Sequence, residues 1–423
     1  MRIRPILTPP QATRRNFLCC GSLLFAGLFG LNDSANAYTF RDGVRNPCSL
    51  EEALSPEARD LVAQSFADID PSQYIDMHAH LLGNGDSGSG CHVNESLYSL
   101  WRPIEVLRRK AILGAGCVVE AAGDIDRQYV ATLTRLIADF PTGAKLGLFA
   151  FDNAYDDRGK IDLAQSTFHV PDAYAKSTST ANNERFEWVA SVHPYREDAI
   201  AAITDAQARG AIALKWLPSA MNIDWNDTRL KPLYAHLAKT RMPLIAHFGE
   251  EKAVPGAHRD EFLNPLHARV PLSHGVRLIV AHCASLGEAT DLESTSKRGV
   301  PCFDLFARLM ADRSYEGLLF ADISAVFQDN RPASVWHRVL SEASWHSRLL
   351  QGSDYPLPGV WPLYNLHGLV TAGLIDAGTV PTLQAIRKRN VLLFEFVLKR
   401  QMSSRGTKFA KSVFETRRFI AAA

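Results

Sequence analysis

Short apolar runs rich in β-forming residues recur along the chain after residue 70, and helix-length segments separate most of them. Strands that alternate with helices are typical of βα units, which build a parallel sheet. The runs are almost continuously apolar, as expected when helices cover both faces of that sheet. Nine runs fit this description: 74–80, 116–122, 145–152, 186–195, 210–218, 242–249, 276–284, 317–325 and 348–356.

Repeated βα units of this number favour an α/β fold of the (β/α)8 TIM-barrel type. Such a barrel has eight strands, so one of the nine runs should lie outside it. We expect run 145–152 to lie outside the barrel, because residues 153–185 after it have the character of an inserted loop. An open doubly wound sheet is the alternative architecture. The sequence has no internal repeat, so we predict a single barrel domain over residues 71–400, with an N-terminal extension at 38–70 and a C-terminal segment at 401–423.

The N-terminus has the layout of a signal peptide, with four arginines in residues 1–15, an apolar stretch at 17–31 and an A-x-A site that ends at residue 37. The apolar stretch is shorter than the roughly 20 residues that span a membrane. TRRNFL at residues 13–18 resembles the twin-arginine export signal. We therefore expect residues 1–37 to be removed, which leaves a periplasmic protein without stable membrane insertion. An uncleaved N-terminal anchor is the alternative.

Composition narrows the class of protein. The 46% hydrophobic and 22% charged content is that of a soluble globular protein. A net charge of +1 gives no electrostatic case for binding nucleic acid. Five cysteines follow the signal segment, and an odd, scattered set predicts no disulfide framework, although one bridge would fit an oxidising compartment. These are Cys48, Cys91, Cys117, Cys283 and Cys302.

The first apolar run ends in IDMHAH, where two histidines stand one residue apart. Side chains alternate between the faces of a strand, so Asp76, His78 and His80 are expected to share one face. An H-x-H pair alone is a weak signal, because a histidine at a strand end is often a core residue that hydrogen-bonds the backbone.

Other reactive side chains also stand where apolar runs end. Lys215 lies near the end of one run, and His247, His282 and Asp354 end or follow three later runs. Alone, Asp354 could cap the turn before a proline, and Lys215 could be a surface residue. In a (β/α)8 barrel, however, the carboxyl ends of all strands meet at one rim, so the ordered set is expected to converge there. Imidazole and carboxylate together suit zinc, manganese or iron.

This ordered pattern resembles the amidohydrolase superfamily of metal-dependent hydrolases. IDMHAH, LIAHFGE, LIVAHCASLG and LLQGSDYPL are similar in style to its amidohydrolase-related branch, over about residues 70–400. The run GLLFADISA resembles the seventh strand of the family, with Asp322 and Ser324 near the rim. The resemblance implies metal ligation by His78, His80, His247, Asp354 and Lys215, and catalytic roles for Asp354, His282 and Lys215.

The resemblance also implies individual roles. Asp354 would act as general acid and base, and His282 would either ligate the metal or hold a substrate oxygen. Lys215 would be a carbamate that bridges two ions or a free ammonium that binds a substrate carboxylate or phosphate. Asp76 would support the histidines from behind, or would form an ordinary buried hydrogen bond.

Several weaker signals have an ordinary structural alternative. His193 precedes a proline and could line the pocket or form a turn, and residues 250–252 begin a rim loop that should mostly face solvent. Trp216 should pack beneath a helix. Residues 83–88 match G-x-G-x-x-G, but no helical pattern opens from the last glycine, so we exclude a dinucleotide site.

The leading hypothesis is a hydrolase that uses one or two divalent ions, with zinc as the favoured metal, to activate water against an amide, ester or lactone. The first alternative is a decarboxylase, in which a cation such as Lys215 or Arg196 holds a carboxylate. The second alternative is a non-catalytic binding protein with a closed metal cage. The expected partner is a small-molecule substrate, and the sequence leaves a homo-oligomer open.

Overall fold

A computed structural model of the protein describes residues 46–254 and 256–421, so the predicted signal peptide at 1–37 lies outside the described residues. Within them, eight parallel strands form one sheet whose spatial order follows the chain order. The strands are β1 (Ile75–His80), β2 (Lys145–Phe149), β3 (Phe186–Ala190), β4 (Ala211–Trp216), β5 (Leu244–His247), β6 (Leu278–Ala281), β7 (Leu319–Asp322) and β8 (Leu349–Leu350).

The sheet closes on itself because the chain beyond β8 runs along β1. The backbone N–H of Met77 donates to the carbonyl of Gln351 at 2.9 Å, and the N–H of His80 donates to the carbonyl of Tyr355 at 2.9 Å. These bonds join the last strand to the first, so the sheet is a barrel without a free edge. The predicted (β/α)8 architecture is confirmed.

Helices surround the barrel and connect its strands. Several begin at side-chain caps: Ser55 accepts from the backbone N–H of Ala58, and Asn390 accepts from those of Leu392 and Leu393. The helices are α1 (Pro56–Phe66), α2 (Pro103–Ala115), α3 (Ile125–Ala138), α4 (Asp172–Ala181), α5 (Ala199–Ala208), α6 (Pro218–Met221), α7 (Lys231–Thr240), α8 (Arg269–Ser273), α9 (Cys302–Ala311), α10 (Ala333–Ser341), α11 (Leu366–Thr371), α12 (Val380–Arg389), α13 (Val391–Gln401) and α14 (Arg417–Ala421).

Two short antiparallel pairs lie outside the barrel sheet. His92–Val93 pairs with Phe168–His169, and Glu288–Thr290 pairs with Gly299–Pro301. In residues 46–254 and 256–421, every helix is too short or too polar to cross a membrane.

The assignment of the ninth run was wrong. Run 145–152 contains β2, which pairs with β1 and β3 inside the barrel, whereas run 116–122 contains no strand. Cys117 adopts a left-handed conformation with φ +57°, so the chain turns where an extended strand was expected. Val119 then remains 61% exposed. Apolar composition alone does not decide whether a run finds a neighbouring strand.

The predicted alternation along β1 was also wrong, because the strand contains a bulge. Its register with β2 shifts between Asp76 and Ala79, and an extra residue at such a point re-aims the side chains that follow. Met77 therefore packs inside the barrel with the apolar interior, and His78 reaches the cavity at the rim. Asp76 faces the outer helical layer instead of sharing the face of His78.

The barrel interior is filled with apolar side chains below the rim, and the C-terminal helix closes the end where the strands begin. Phe419 of α14 packs on Phe320 with ring centroids 4.5 Å apart, and Arg277 donates to the carbonyl of Phe419 at 2.8 Å. The C-terminal segment therefore packs on the barrel. The interior cluster comprises Ile75, Met77, Phe149, Val189, Ala213, Ile245, Ile279, Phe320, Leu350 and Phe419.

One disulfide bridge joins the N-terminal extension to the turn after α2. It connects Cys48 with Cys117, with a Cα–Cα distance of 5.7 Å. The remaining cysteines of the described chain are buried thiols: Cys91, Cys283 and Cys302. The bridge spans 69 positions of sequence, which explains why spacing alone did not identify its partners.

We expect reduction of this bridge to destabilise the protein. Closing a loop of this length removes conformational entropy from the unfolded chain, which corresponds to about 4 kcal/mol in the chain-entropy treatment. Urea unfolding with and without dithiothreitol should show a lower midpoint in the reduced protein. The Cys48→Ser/Cys117→Ser double variant should match that midpoint and be insensitive to dithiothreitol; a reductant effect in the variant would contradict this assignment.

Candidate metal centre

Four imidazoles and one carboxylate meet at the carboxyl ends of the strands. His78 and His80 end β1, His247 ends β5, His282 follows β6, and Asp354 lies beyond β8. One donor atom each from His78, His282 and Asp354 lie within 4.8 Å of one another. The Nε2 atom of His80 is 3.2 Å from Asp354 Oδ1, and that of His78 is 3.5 Å from the same oxygen. The structure therefore brings together the residues that the sequence placed on separate strand ends.

The carboxylate of Asp322 fixes two of these imidazoles. Its Oδ2 lies 2.9 Å from His78 Nδ1, and its Oδ1 accepts from the backbone N–H of His282 at 3.1 Å. The Ser324 hydroxyl donates to Asp322, while His282 Nδ1 lies 3.0 Å from the Ser324 carbonyl. A carboxylate and a carbonyl only accept, so both Nδ1 atoms carry the proton and both Nε2 atoms present a lone pair to the centre.

His247 also directs its Nε2 toward the centre, but a different carboxylate holds its Nδ1. Its Nδ1 lies 3.4 Å from Glu251 Oε2, a carboxylate that also accepts from the backbone N–H of Ala253. Its Nε2 is buried and has no hydrogen-bond partner within the described chain. Glu251 therefore turns toward the site, while Glu250 pairs with Lys252. The rim loop thus contributes one side chain to the centre.

Burial keeps the imidazoles of His78, His247 and His282 neutral. Desolvation lowers the pKa of His78 and of His282 well below its usual value, and lowers the pKa of His247. The positive charge of Lys215 acts in the same direction on all three. A metal ligand must be neutral imidazole, so the chemistry of this donor set fits a divalent cation of the zinc, manganese or iron type.

Lys215 projects into the same space from β4. Its Nζ lies 3.5 Å from His78 Nε2 and 4.9 Å from the centre of the Phe149 ring. Burial lowers the pKa of Lys215 to about 8, against the opposing effect of Asp322 and Asp354. No carboxylate of the described residues comes within 4 Å of it. The geometry is compatible with two states of Lys215: a carbamate, or a free ammonium that can bind an anion.

Two residues at the rim have strained backbones. Asp354 has φ +60° and His282 has φ +55°, a left-handed region that costs a non-glycine residue about 1–3 kcal/mol. The backbone N–H of Asp354 donates to the carbonyl of His78 at 2.7 Å, which holds this conformation in place. The strain aims both side chains into the centre.

Asp76 serves the backbone instead of an imidazole ring. Its Oδ1 accepts from the N–H groups of His78 at 3.0 Å and Ser353 at 2.9 Å. Burial raises the pKa of Asp76 to about 6. Its carboxylate bridges the first strand to the segment before Asp354. Of the two roles considered from the sequence, Asp76 therefore has that of an ordinary buried hydrogen-bond acceptor.

Two of the weaker signals have structural roles. His193 is fully buried, and its Nε2 lies 2.7 Å from the carbonyl of Met221. The indole N–H of Trp216 donates to the carbonyl of Val192 at 2.9 Å, on the outer side of the barrel wall. Neither residue lines the cavity.

The glycine-rich segment 83–88 is a tight rim loop. The carboxylate of Asp126 accepts from the backbone N–H groups of Asn84 at 2.7 Å and Gly85 at 3.2 Å. No helix begins at the last glycine, since residues 89–91 are irregular. The loop therefore contributes Gly83 and Asn84 to the cavity wall and does not form a dinucleotide site.

A cavity of about 170 Å³ opens above the donor atoms. Sequence reasoning missed two groups that line it, the amide of Gln328 and the guanidinium of Arg331, and also the Phe149 ring beneath Lys215. The only available signal was a charged residue in the loop after the seventh strand. The apolar lining residues include Leu97, Ile112, Leu113, Phe151, Phe168, Leu217, Val254, Leu286, Leu357 and Leu363.

A buried ion pair supports the strand end that presents Asp354. Lys399 pairs with Glu395 on α13, and both side chains are at most 2% exposed. The ammonium donates to the carbonyl of Gly352 at 2.7 Å, and the Gln351 amide donates to Glu395 at 2.9 Å. Charged residues at i and i+4 within an apolar helix were the signal that the sequence analysis did not use.

A (β/α)8 barrel with histidines and an aspartate at its carboxyl rim defines a class of barrel enzymes. The family model described as Amidohydrolase matches residues 75–374, which is more than half of the 423 residues. The chain therefore belongs to the amidohydrolase family, and it is an enzyme. No curated protein matches it.

Solved structures with a similar fold have low identity. An uncharacterized TIM-barrel protein from Bordetella bronchiseptica is 15% identical with a TM-score of 0.45, covering 76% of this chain and 99% of that one. A 4-oxalomesaconate hydratase from Rhodopseudomonas palustris is 13% identical, with a TM-score of 0.37 and coverage of 75% and 96%. A manganese-bound 5-carboxyvanillate decarboxylase from Novosphingobium aromaticivorans is 12% identical, with a TM-score of 0.38 and coverage of 76% and 95%. These similarities assign no reaction to the chain.

Removing the cation of the buried pair should destabilise the protein strongly. Lys399→Met leaves the Glu395 carboxylate buried without its counter-charge, which costs about 3–5 kcal/mol. Urea unfolding measures this loss. The matched Glu395→Gln/Lys399→Met double variant should recover a large part of it; equal destabilisation of the single and double variants would show that the charge is not the cause.

Proposed function

We propose that this protein is a metal-dependent hydrolase that acts on an amide, ester or lactone bond of a small molecule. The observation that carries the proposal is the buried Nε2 of His247, which has no hydrogen-bond partner in the part of the chain described. An unsatisfied buried acceptor costs about 1–3 kcal/mol. Its imidazole stands beside that of His282, with ring centroids 5.2 Å apart. A shared cation would satisfy both lone pairs.

The donor set determines which cation would fit. His78, His80 and His247 would ligate it together with Asp354, and His282 would ligate it or hold a substrate oxygen. A divalent ion in this place supplies a water of pKa about 7 and polarises the substrate oxygen. Neutral imidazoles with one carboxylate favour zinc, and manganese and iron are compatible. The state of Lys215 decides between one ion and two.

Asp354 is positioned for proton transfer. Its carboxylate oxygens lie 3.2 Å from His80 Nε2 and 3.9 Å from His282 Nε2, and it lines the cavity that would hold substrate. From this place it would accept a proton from the attacking water and deliver it to the leaving group. Asp322, which fixes the His78 ring, would position a ligand without touching substrate.

A decarboxylase is the second candidate, and Lys215 supports it. A buried ammonium without a nearby carboxylate could hold the carboxylate of an acid substrate. Arg196, the other cation considered from the sequence, donates to Asp198 at 2.8 Å and does not line the cavity. A closed, non-catalytic metal cage is disfavoured, because the donor residues line an open cavity.

Asp322→Asn should weaken metal binding without unfolding the site. The amide is a poorer acceptor for His78 Nδ1–H, so His78 becomes a weaker and less well oriented ligand, and affinity should fall about 10- to 100-fold. Competition with a chromophoric chelator measures the change. Asp76→Asn is the matched control, because Asp76 accepts from the backbone N–H groups of His78 and Ser353 and forms no hydrogen bond with an imidazole ring of the described residues; an equal loss in both variants would contradict the role of Asp322.

Product analysis separates the two candidate reactions. Zinc- or manganese-loaded protein should release hydrolysis products from a panel of lactones, esters and amides, and no CO2 from aromatic acids. The activity should be lost in His247→Ala together with bound metal, measured by elemental analysis. Metal-dependent CO2 release would support the decarboxylase and contradict the hydrolase, while full turnover of metal-free protein would contradict both.

A further inference from the structure

A second buried cation faces the cavity from the loop after β7, which lies two strands from β1 in the closed barrel. Arg331 lies in the loop that follows β7, is only 7% exposed, and lines the same cavity as Asp354. The mechanism proposed above does not use it. The burial of its charge must therefore have another physical reason.

The guanidinium of Arg331 has only neutral partners. Its Nε donates to the Ser285 hydroxyl at 3.3 Å, and its Nη1 donates to the side-chain oxygens of Gln328 and Asn330. Within residues 46–254 and 256–421, no carboxylate lies within 4 Å of it and Nη2 forms no hydrogen bond. The loop thus holds the group in place without a direct ion pair, and the carboxylates of Asp354 and Glu251 act on its charge only from a greater distance.

The other arginines of the cavity differ in this respect. Arg108 pairs with Glu105 at 2.6 Å, and Arg109 pairs with Glu120. Their charges are compensated within the protein, so they have no need of an anionic ligand. In the part of the chain described, Arg331 is the arginine of the cavity that has no carboxylate within 4 Å.

A buried charge without a counter-charge is costly, because desolvation of an ion costs several kcal/mol. The same desolvation lowers the pKa of Arg331 to about 10. The neighbouring amide of Gln328 adds a second unused donor, since its Nε2 is buried and forms no hydrogen bond with the described residues. The buried hydroxyl of Tyr364 lies beside this amide and interacts with it, although neither group forms a hydrogen bond of ordinary geometry within the same residues. Two donors held side by side match the two oxygens of a carboxylate.

We propose that Arg331 binds a carboxylate of the substrate, so that the enzyme acts on monoanionic acids with an apolar or aromatic body. The inference rests on the proposed function, because it places the bound molecule in the same cavity as Asp354. The carboxylate is a recognition group that the reaction leaves intact. The apolar walls formed by Leu97, Ile112, Phe151, Phe168 and Leu357 receive the body of the molecule.

Calorimetric titration of zinc-loaded protein with matched acids and amides tests this proposal. The pairs are benzoate with benzamide, phenylacetate with phenylacetamide, and hexanoate with hexanamide. Wild type should bind at least one acid about tenfold or more tightly than its amide. Arg331→Gln should lose about tenfold or more in affinity for that acid and bind the amide as before, while Arg331→Lys should be intermediate because it keeps the charge and loses the fork.

Arg108→Gln is the matched control, because it removes an arginine of the same cavity whose charge is already paired. It should keep the acid preference of wild type. Thermal melting checks that each variant folds, and elemental analysis checks that each retains its zinc. An acid preference that survives in Arg331→Gln, or that is absent from wild type for all three pairs, overturns the proposal. Loss of the proposed function appears separately, as wild-type protein that binds no metal or shows no metal-dependent turnover.

Discussion

The carboxylate of Asp322 is the interaction on which the rest of the candidate site depends. It holds His78 Nδ1, the backbone N–H of His282 and the hydroxyl of Ser324. Three strands of the barrel therefore meet at one buried acid, and the proton of each imidazole is directed away from the centre. Removing this acid would release the His78 ring, whose Nδ1–H it accepts, and would leave the backbone N–H of His282 without its acceptor, while the Ser324 carbonyl would still face His282 Nδ1.

Barrel closure decides where Asp354 stands. The last strand is only two residues long, and the chain beyond it stays extended along β1 through backbone hydrogen bonds. Lys399 and Glu395 brace this segment from the outer helix, and Asp76 braces it from β1. The left-handed backbone of Asp354 persists because these contacts over-determine it. The contacts that stabilise the barrel at this point therefore also place Asp354.

The balance of charge in the cavity suits an anionic ligand. Lys215 and Arg331 are buried without a carboxylate within 4 Å in the described chain, and a bound divalent ion would add further positive charge. Burial keeps the imidazoles of His78 and His282 neutral. This excess of positive charge is consistent with both the hydrolase and the decarboxylase proposals, because an ionised substrate would offset it in a site of low dielectric constant.

The sequence by itself determined the barrel and the main participants of the site. Parallel strands have all their carboxyl ends at one rim, so the positions of His78, His247, His282 and Asp354 along the chain were enough to predict their meeting. Only the tertiary structure decided that run 145–152 enters the sheet and run 116–122 does not, because strand pairing depends on a neighbour and not on composition. The bulge in β1, the Cys48–Cys117 bridge, the partners of each Nδ1 and the incomplete pairing of Arg331 were decided in the same way. Each arises from contacts between residues distant in sequence, and a local pattern of side chains carries no information on such contacts.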